Sequence, residues 1–111
     1  MRAQKTRIMY IECKDGTLNG EARIGRVTFS KSGRSITHRG QSFFKVGNGY
    51  KHNHIEEGSG AHYWISGPRK DGQDRLSPQS HQPVEIDEDV REEYWTKIRG
   101  IPQAHGRKTA N

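Results

Sequence analysis

The stretch Ala61–Leu76, AHYWISGPRKDGQDRL, decides how the rest of this sequence is arranged. In a strand, Tyr63 and Ile65 point to one face and Trp64 to the other, because successive side chains alternate. The Gly-Pro pair that follows ends the strand, since proline has no N–H to donate to a neighbouring strand. A Lys-Asp-Gly turn then reverses the chain, and we predict a β-hairpin centred on residues 67–75.

Apolar runs of strand length, separated by glycine-containing turns, recur along the chain around this hairpin. Short strands at this spacing are typical of an antiparallel meander or a small barrel. The predicted strands outside the hairpin cover residues 7–13, 22–30, 35–38, 41–46, 50–56 and 84–86. The predicted fold class is α+β and mainly β. We expect a small antiparallel curled sheet or partly open barrel of about 5–7 short strands, with one C-terminal α-helix packed on it.

One of these strands departs from strict alternation. Within residues 22–30, Ile24 is in one phase, whereas Val27 and Phe29 are in the other. Gly25 lies at the break, and a β-bulge there would bring all three apolar side chains to one face. We therefore predict a bulge at Gly25.

A helix is predicted over Glu88–Arg99. Val90, Tyr94 and Ile98 recur every four residues, which is the spacing of one helical face. Trp95 lies beside them and widens this apolar stripe. Asp87 is predicted to cap the N-terminus, and Gly100 occupies a position that is common for a C-terminal cap. A helix of about 12 residues is marginal alone in water, so we expect its apolar stripe to pack against the sheet.

The length of 111 residues predicts a single domain, which we expect over residues 6–102. Residues 1–5 and a basic tail over 103–111 are predicted to be disordered. Cys13 is the only cysteine, which excludes an intrachain disulfide and suits a reducing compartment. No apolar run reaches the roughly 18–20 residues of a membrane span, and the N-terminal segment lacks the apolar stretch of a signal peptide. We therefore expect a cytoplasmic protein with no membrane contact.

The formal net charge of +6 is unevenly distributed: residues 1–84 carry 14 Lys or Arg against 7 Asp or Glu, and residues 85–111 carry 5 against 6. Cations interleave with aromatic residues on neighbouring strands and around the hairpin. Because cations pair with phosphates and exposed rings stack on unpaired bases, this pattern predicts a site for RNA or single-stranded DNA. The candidate site residues are Arg23, Arg26, Arg34, Arg39, Lys45, Lys51, Arg69, Lys70, Arg75, Phe44, Tyr63 and Trp64.

Two alternatives stay open for these residues. Large aromatic side chains commonly fill small cores, and the sequence favours a core position over a stacking surface for Phe44, Tyr63 and Trp64. A protein-interaction module or a homo-oligomer is the alternative function, in which the acidic flank of the helix in one copy meets the basic sheet of another.

Catalysis and metal binding find less support. His52, His54 and His62 lie close together in sequence but lack the paired Cys and His spacing of a structural zinc site. The sequence contains no nucleophile with a flanking base signature and no phosphate-binding glycine motif. We therefore predict a non-catalytic binding module without a cofactor.

Five segments carry a family likeness: RIMY at 7–10, ARIGRVTF at 22–29, YWISG at 63–67, KDGxDRL at 70–76 and VEIDEDVREEYW at 84–95. With them, the sequence resembles a group of small uncharacterised bacterial proteins over most of residues 6–102. Members often bear the name 1-deoxy-D-xylulose-5-phosphate synthase. This chain has neither the length nor the diphosphate–Mg²⁺ motif of that thiamine-diphosphate enzyme, so we interpret the name as transferred in error. The resemblance implies no activity.

Overall fold

The computed structural model describes residues 5–14, 22–46, 52–70, 84–104 and 106–110. The strands in these segments are β1 Thr6–Cys13, β2 Ala22–Phe29, β3 Ser35–His38, β4 Gln41–Lys45, β5 His54–Glu56, β6 His62–Ser66 and β7 Val84–Ile86. The second arm of the predicted hairpin lies outside the described residues, as do Lys51 and Arg75.

Six of the strands close into an antiparallel barrel. The sheet order is β1-β6-β5-β4-β3-β2-β7, and β1 also pairs with β2, which joins the two sides of the sheet. The seventh strand, β7, adds to β2 in parallel, outside the closed ring. The prediction of a small barrel with a C-terminal helix is confirmed, and the barrel is closed. Closure removes the open edges on which a sheet this small would otherwise pair with other chains.

Apolar side chains are buried on both faces of the sheet. Inside the barrel lies an inner cluster: Met9, Ile11, Val27, Ile36, Phe43 and Ile65. Outside it, under the helix, lies an outer cluster: Ile8, Tyr10, Ala22, Ile24, Val84, Ile86, Val90, Tyr94, Trp95, Ala104 and Ala110. The strands β1 and β2 contribute to both clusters, because their alternate side chains enter different layers.

The two clusters explain why the predicted bulge at Gly25 is wrong. Strand β2 pairs with β1 without interruption from Ala22 to Thr28. Ile24 lies in the outer cluster, whereas Val27 lies in the inner one. Since both faces are covered, the strand needs no change of phase to bury both residues.

The C-terminal helix covers residues 88–98 and lies over the outer cluster, as predicted. It is not uniform: Glu88–Val90 is a 3₁₀ turn, Arg91–Glu93 is α-helical and Tyr94–Ile98 is a π-helical turn. Tyr94 and Trp95 are both fully buried, with their rings edge-to-face at a centroid distance of 5.1 Å. The prediction that Asp87 caps the helix is wrong, because its side chain makes no capping hydrogen bond and instead binds residues of the barrel.

Part of the predicted basic tail over 103–111 lies within the described residues and makes backbone hydrogen bonds. Residues 106–110 lie alongside β7, where Ala110 N donates to Val84 O at 2.8 Å and Ile86 N donates to Lys108 O at 2.8 Å. The Trp95 indole N–H donates to Arg107 O at 3.1 Å. Backbone hydrogen bonds hold this polar segment, which explains why its side chains gave no signal of order.

The antiparallel arrangement gives the barrel two ends built from different segments. We call one the basic end; it comprises the start of β1, the β2–β3 turn, the start of β5 and the chain at the ends of β4 and β6. We call the other the mouth; it comprises the end of β1, the start of β2, the β3–β4 turn and the start of β6, with β7 beside it. Within the described part of the chain, no helix is long and apolar enough to cross a membrane.

Candidate functional site

The basic end collects cations from segments that are far apart in sequence. Phe29 N donates to Lys5 O at 2.8 Å, which fixes Lys5 beside the end of β2. The Lys5 ammonium lies 6.0 Å from the centre of the Phe29 ring. Lys45 N donates to Arg34 O at 2.8 Å, so these two cationic residues are direct neighbours across β3 and β4. Antiparallel pairing therefore creates the cluster.

The rest of the β2–β3 turn and the segment after β6 complete the same end. The β2–β3 turn carries Lys31, and Gly33 in that turn has φ 75°, a left-handed conformation that glycine adopts easily. On the other side of the barrel, the Arg7 guanidinium lies within 3.2 Å of the position that a Cβ atom on Gly67 would occupy. Two exposed cations, Arg69 and Lys70, follow Gly67 after Pro68. The cations of the basic end are Lys5, Arg7, Lys31, Arg34, Lys45, Arg69 and Lys70.

Carboxylates are absent from the described segments that form this end. Residues 5–9, 25–35, 43–46, 52–54 and 64–70 contain no Asp or Glu. Among the described residues, no carboxylate forms an ion pair with Lys5, Arg7, Arg34 or Lys45. Like charges that are grouped without carboxylates among them produce a positive potential that attracts polyanions.

An exposed aromatic ring borders the basic end. Phe44 precedes Lys45 on β4, pairs with Ile55 across the sheet and is 41% exposed. Val46, the next residue on the same face, is 38% exposed. These are the two large apolar side chains that the described part of the chain leaves most open to solvent. Phe44 is therefore exposed rather than in the core, and its role as a stacking surface stays a prediction.

Tyr63 and Trp64 do not join this surface. Tyr63 points into the barrel, where its ring meets Phe43 edge-to-face at 4.8 Å. Trp64 points outward but packs against the outer cluster, and its indole N–H donates to Ser66 Oγ at 3.2 Å. Both are half-buried packing residues, as the core interpretation expects.

Three predicted cations bind carboxylates elsewhere. Arg26 faces the helix and pairs with Glu93 at 2.8 Å. Arg23 lies at the mouth and divides its guanidinium between Glu85, at 2.9 Å, and Asp87, at 2.6 Å. The third cation is Arg39 in the β3–β4 turn, which is also at the mouth. The predicted set of cations is therefore split among three surfaces, and the members that remain together are Arg34, Lys45, Arg69 and Lys70.

Asp87 is the centre of the polar network at the mouth. Its carboxylate is buried and accepts hydrogen bonds from Arg23 at 2.6 Å and from His38 Nε2 at 2.8 Å. Burial alone raises the pKa of Asp87, but the hydrogen bonds from Arg23 and His38 and their charges outweigh it and hold the pKa below its ordinary value. Gly25 makes room for this network, because a Cβ atom there would lie 2.4 Å from Asp87 Oδ2.

Three of the described histidines, His52, His54 and His62, contact other side chains of the fold. Burial, and then the charge of Lys45, lower the pKa of His54 to about 4, so the ring is neutral at pH 7. Its Nδ1–H donates to Asn53 Oδ1 at 2.8 Å. The rings of His52 and His62 stack with centroids 4.1 Å apart. Among the described residues, no group of three or more His, Cys, Asp or Glu side chains is arranged to hold a metal ion.

Besides Lys31, the sequence-based list of site residues omitted Lys5 and Arg7. Lys5 precedes β1 and Arg7 is its second residue, and neither is adjacent in sequence to an aromatic residue. In addition, Lys5 was assigned to the N-terminal segment that was predicted to be disordered. The signal that could have found them is topological. In an antiparallel barrel the start of β1 meets the ends of its neighbours β2 and β6, so cations at those three positions converge.

Fold and site together define a small closed antiparallel β-barrel with one strongly cationic end and a helix covering one side. Comparisons with protein-family models, with curated proteins and with solved structures found no match. The resemblance noted from the sequence stays a prediction.

Proposed function

We propose that this protein is a non-catalytic module that binds single-stranded nucleic acid at the basic end of its barrel. The observation that carries the proposal is the separation of charge: cations from four segments meet at that end, and the described strand and turn segments that form it contain no Asp or Glu. Releasing counterions from the phosphate backbone is the main source of affinity for such a surface.

The position of Phe44 favours single strands over duplexes. Its ring is 41% exposed at the border of the basic end, so a base can stack on the ring while phosphates of the same strand meet the cations of that end. Stacking of one base on an aromatic side chain contributes about 1–3 kcal/mol and tolerates different bases. Bases paired within a duplex are not available for it.

Binding of a labelled oligonucleotide of about 12 nucleotides, followed by fluorescence anisotropy over a range of salt concentrations, tests the proposal. The double variant Arg34→Gln/Lys45→Gln removes two charges from the basic end. We expect the slope of log affinity against log salt to become shallower by about 0.7 for each phosphate of a single strand that the variant no longer neutralises. Lys108→Gln is the matched control, because Lys108 is exposed and lies beside β7 at the other end of the barrel.

A second pair of variants tests stacking separately from charge. Phe44→Ala should weaken binding of the single strand by about 1–3 kcal/mol and leave the salt slope unchanged. Val46→Ala removes a neighbouring, similarly exposed apolar side chain that cannot stack, and should change affinity little. Absence of measurable binding at low salt would exclude the proposal. Equal binding of single and double strands, with no effect of Phe44→Ala, would exclude its stacking component.

Self-association is the second candidate function. The helix exposes Glu88, Asp89 and Glu92, whose charges complement the basic end of another copy. Sedimentation at increasing protein concentration distinguishes self-association from nucleic-acid binding. A sedimentation coefficient that rises with protein concentration, and that no longer rises in the Arg34→Gln/Lys45→Gln variant, favours association between copies.

A further inference from the structure

A cavity of about 310 Å³ opens at the mouth, at the end of the barrel opposite to the basic end. Its wall includes the side chains of Ile11, Phe43 and Tyr63 inside the barrel and those of Arg23, His38 and Arg39 near the opening. Pockets for small ligands begin near this volume, at about 300 Å³. The proposed nucleic-acid surface does not use this cavity.

The cavity has an apolar floor and a polar rim. Ile11 and Phe43 belong to the inner cluster and are almost fully buried, and the Tyr63 ring packs on Phe43. The polar side chains come from the start of β2, from the β3–β4 turn and from β7, whose Glu85 carboxylate is paired with Arg23 at 2.9 Å. A molecule with an apolar body and a polar head would therefore enter with its body first.

One cation on the rim has an unusual backbone. Arg39 has φ 51°, and Gly40 after it has φ 82°, so both central residues of the β3–β4 turn are left-handed. Such two-residue turns strongly favour Asn-Gly. Arginine in this conformation is uncommon, and a non-glycine residue held there is strained. This turn therefore carries an arginine at a position where asparagine would have the more favourable backbone conformation.

The Arg39 guanidinium is only loosely engaged. Its side chain is 61% exposed, and its Nη1 lies 3.7 Å from Asp87 Oδ1. Arg23 holds the same oxygen at 2.6 Å, and His38 holds the other oxygen at 2.8 Å. Because Asp87 is already bound closely by two partners, Arg39 remains able to exchange its long contact for a closer one. A guanidinium offers paired donors that match carboxylate and phosphate groups.

We propose that the mouth of the barrel binds a small molecule that carries one oxyanion, a carboxylate or a phosphate, on an aromatic or aliphatic body, with Arg39 pairing with the oxyanion. The body lies against Ile11, Phe43 and Tyr63 inside the barrel. Arg23, His38 and Asp87 hold the rim in place. The left-handed turn presents Arg39 to the ligand at the open end of the cavity.

The test uses the full chain, labelled with ¹⁵N, and four probes: phenylacetate, phenyl phosphate, the neutral 2-phenylethanol, and inorganic phosphate. We expect the two probes that combine a ring with an oxyanion to bind at least about tenfold more tightly than the other two. Amide shifts should centre on Ile11, on the turn 38–41 and on Tyr63. The tighter of phenylacetate and phenyl phosphate identifies the oxyanion of the natural ligand.

Arg39→Asn separates binding from folding. Asparagine before glycine suits this turn, so the variant should melt at or above the temperature of the unmodified protein, yet bind both anionic probes at least about tenfold more weakly. Lys97→Gln is the control: it removes an exposed cation from the helix, outside both proposed sites, and should leave probe binding intact. Three results would overturn the proposal: no binding of either anionic probe at about 10 mM, unchanged binding by Arg39→Asn, or amide shifts confined to the basic end. None of them bears on oligonucleotide binding, which uses the other end.

Discussion

Replacing Gly25 with alanine should disrupt the buried network at the mouth of the barrel. A Cβ atom at Gly25 would lie 2.4 Å from Asp87 Oδ2 and 2.5 Å from His38 Nε2, whereas ordinary van der Waals contact begins at 3.4 Å. The carboxylate and the imidazole therefore have to move by about an ångström, because close packing leaves no spare room. Both side chains are buried and joined at 2.8 Å, so neither can move without weakening hydrogen bonds.

Two opposing effects set the magnitude of the change. A hydrogen bond to a charged group contributes about 1.5–3 kcal/mol, and Asp87 would lose the bond from His38 and weaken the bond from Arg23. Alanine offsets about 0.5–1 kcal/mol of this loss, because glycine loses more backbone freedom on folding. We expect Gly25→Ala to lower the free energy of unfolding by about 2–4 kcal/mol at pH 7.

Chemical unfolding followed by the fluorescence of the fully buried Trp95 measures this difference. Gly106→Ala is the matched control, because no atom lies within 4 Å of the added Cβ and φ is not in the left-handed region. Its stability should be unchanged or slightly raised. If Gly25→Ala were as stable as Gly106→Ala at pH 7, the packing argument would be refuted.

The same pair of variants has a pH dependence with a definite sign. Because the folded-state pKa of Asp87 is lowered, its contribution to stability is present above the unfolded-state pKa and is lost as the pH falls through the folded one. The unmodified protein loses that contribution in acid, whereas Gly25→Ala has already lost most of it. The difference in unfolding free energy between them should therefore shrink below about pH 4. A difference that stays constant to about pH 2 would show that Asp87 is not the group displaced.

Two further predictions concern the helix and the basic end. Trp95→Phe removes the indole N–H that binds Arg107 O at 3.1 Å, so we expect a loss of about 1–3 kcal/mol and faster hydrogen exchange at the Ala110 amide, which pairs with Val84. Trp64→Phe, at a half-buried site, is the control, and unchanged protection of Ala110 would contradict the prediction. His54 should titrate by NMR near pH 4, and Lys45→Gln should raise its pKa part of the way towards 6.5. Since its folded-state pKa is lowered, His54 stabilises the fold above about pH 6.5, and this contribution is lost as the pH falls towards 4. A midpoint near 6.5 would contradict its burial.

Local patterns in the sequence predicted the elements well, because each pattern reports a local cause. Alternation located the strands, and the spacing of Val90, Tyr94 and Ile98 located the helix. Arg23 and Arg26 show what local patterns omit. They are three residues apart on one strand and therefore point to opposite faces, where each meets a different carboxylate more than sixty residues away.

Asp87 also shows that a local pattern does not reveal partners that are distant in sequence. Its position before a helix predicts a cap, and the local rule is sound. In the folded chain, however, His38 and Arg23 offer stronger partners than a backbone N–H, and Gly25 leaves the space for them. None of these partners is near Asp87 in sequence, so only the strand order could have revealed them. The cation cluster of the basic end was only partly predicted for the same reason.

The separation of charge along the barrel supports a binding role for the basic end over a purely structural one. On the six strands of the closed barrel, the carboxylates are Glu12 and Glu56, and both lie at the end of the barrel where the mouth opens. Like charges gathered at one end repel each other, and salt at about 0.1 M screens this repulsion only beyond about 10 Å. Arg34 and Lys45 make no ion pair with a described carboxylate and fill no core, so their grouping lowers stability without improving packing. A bound polyanion removes that repulsion, and the group that destabilises the free protein then becomes the source of affinity.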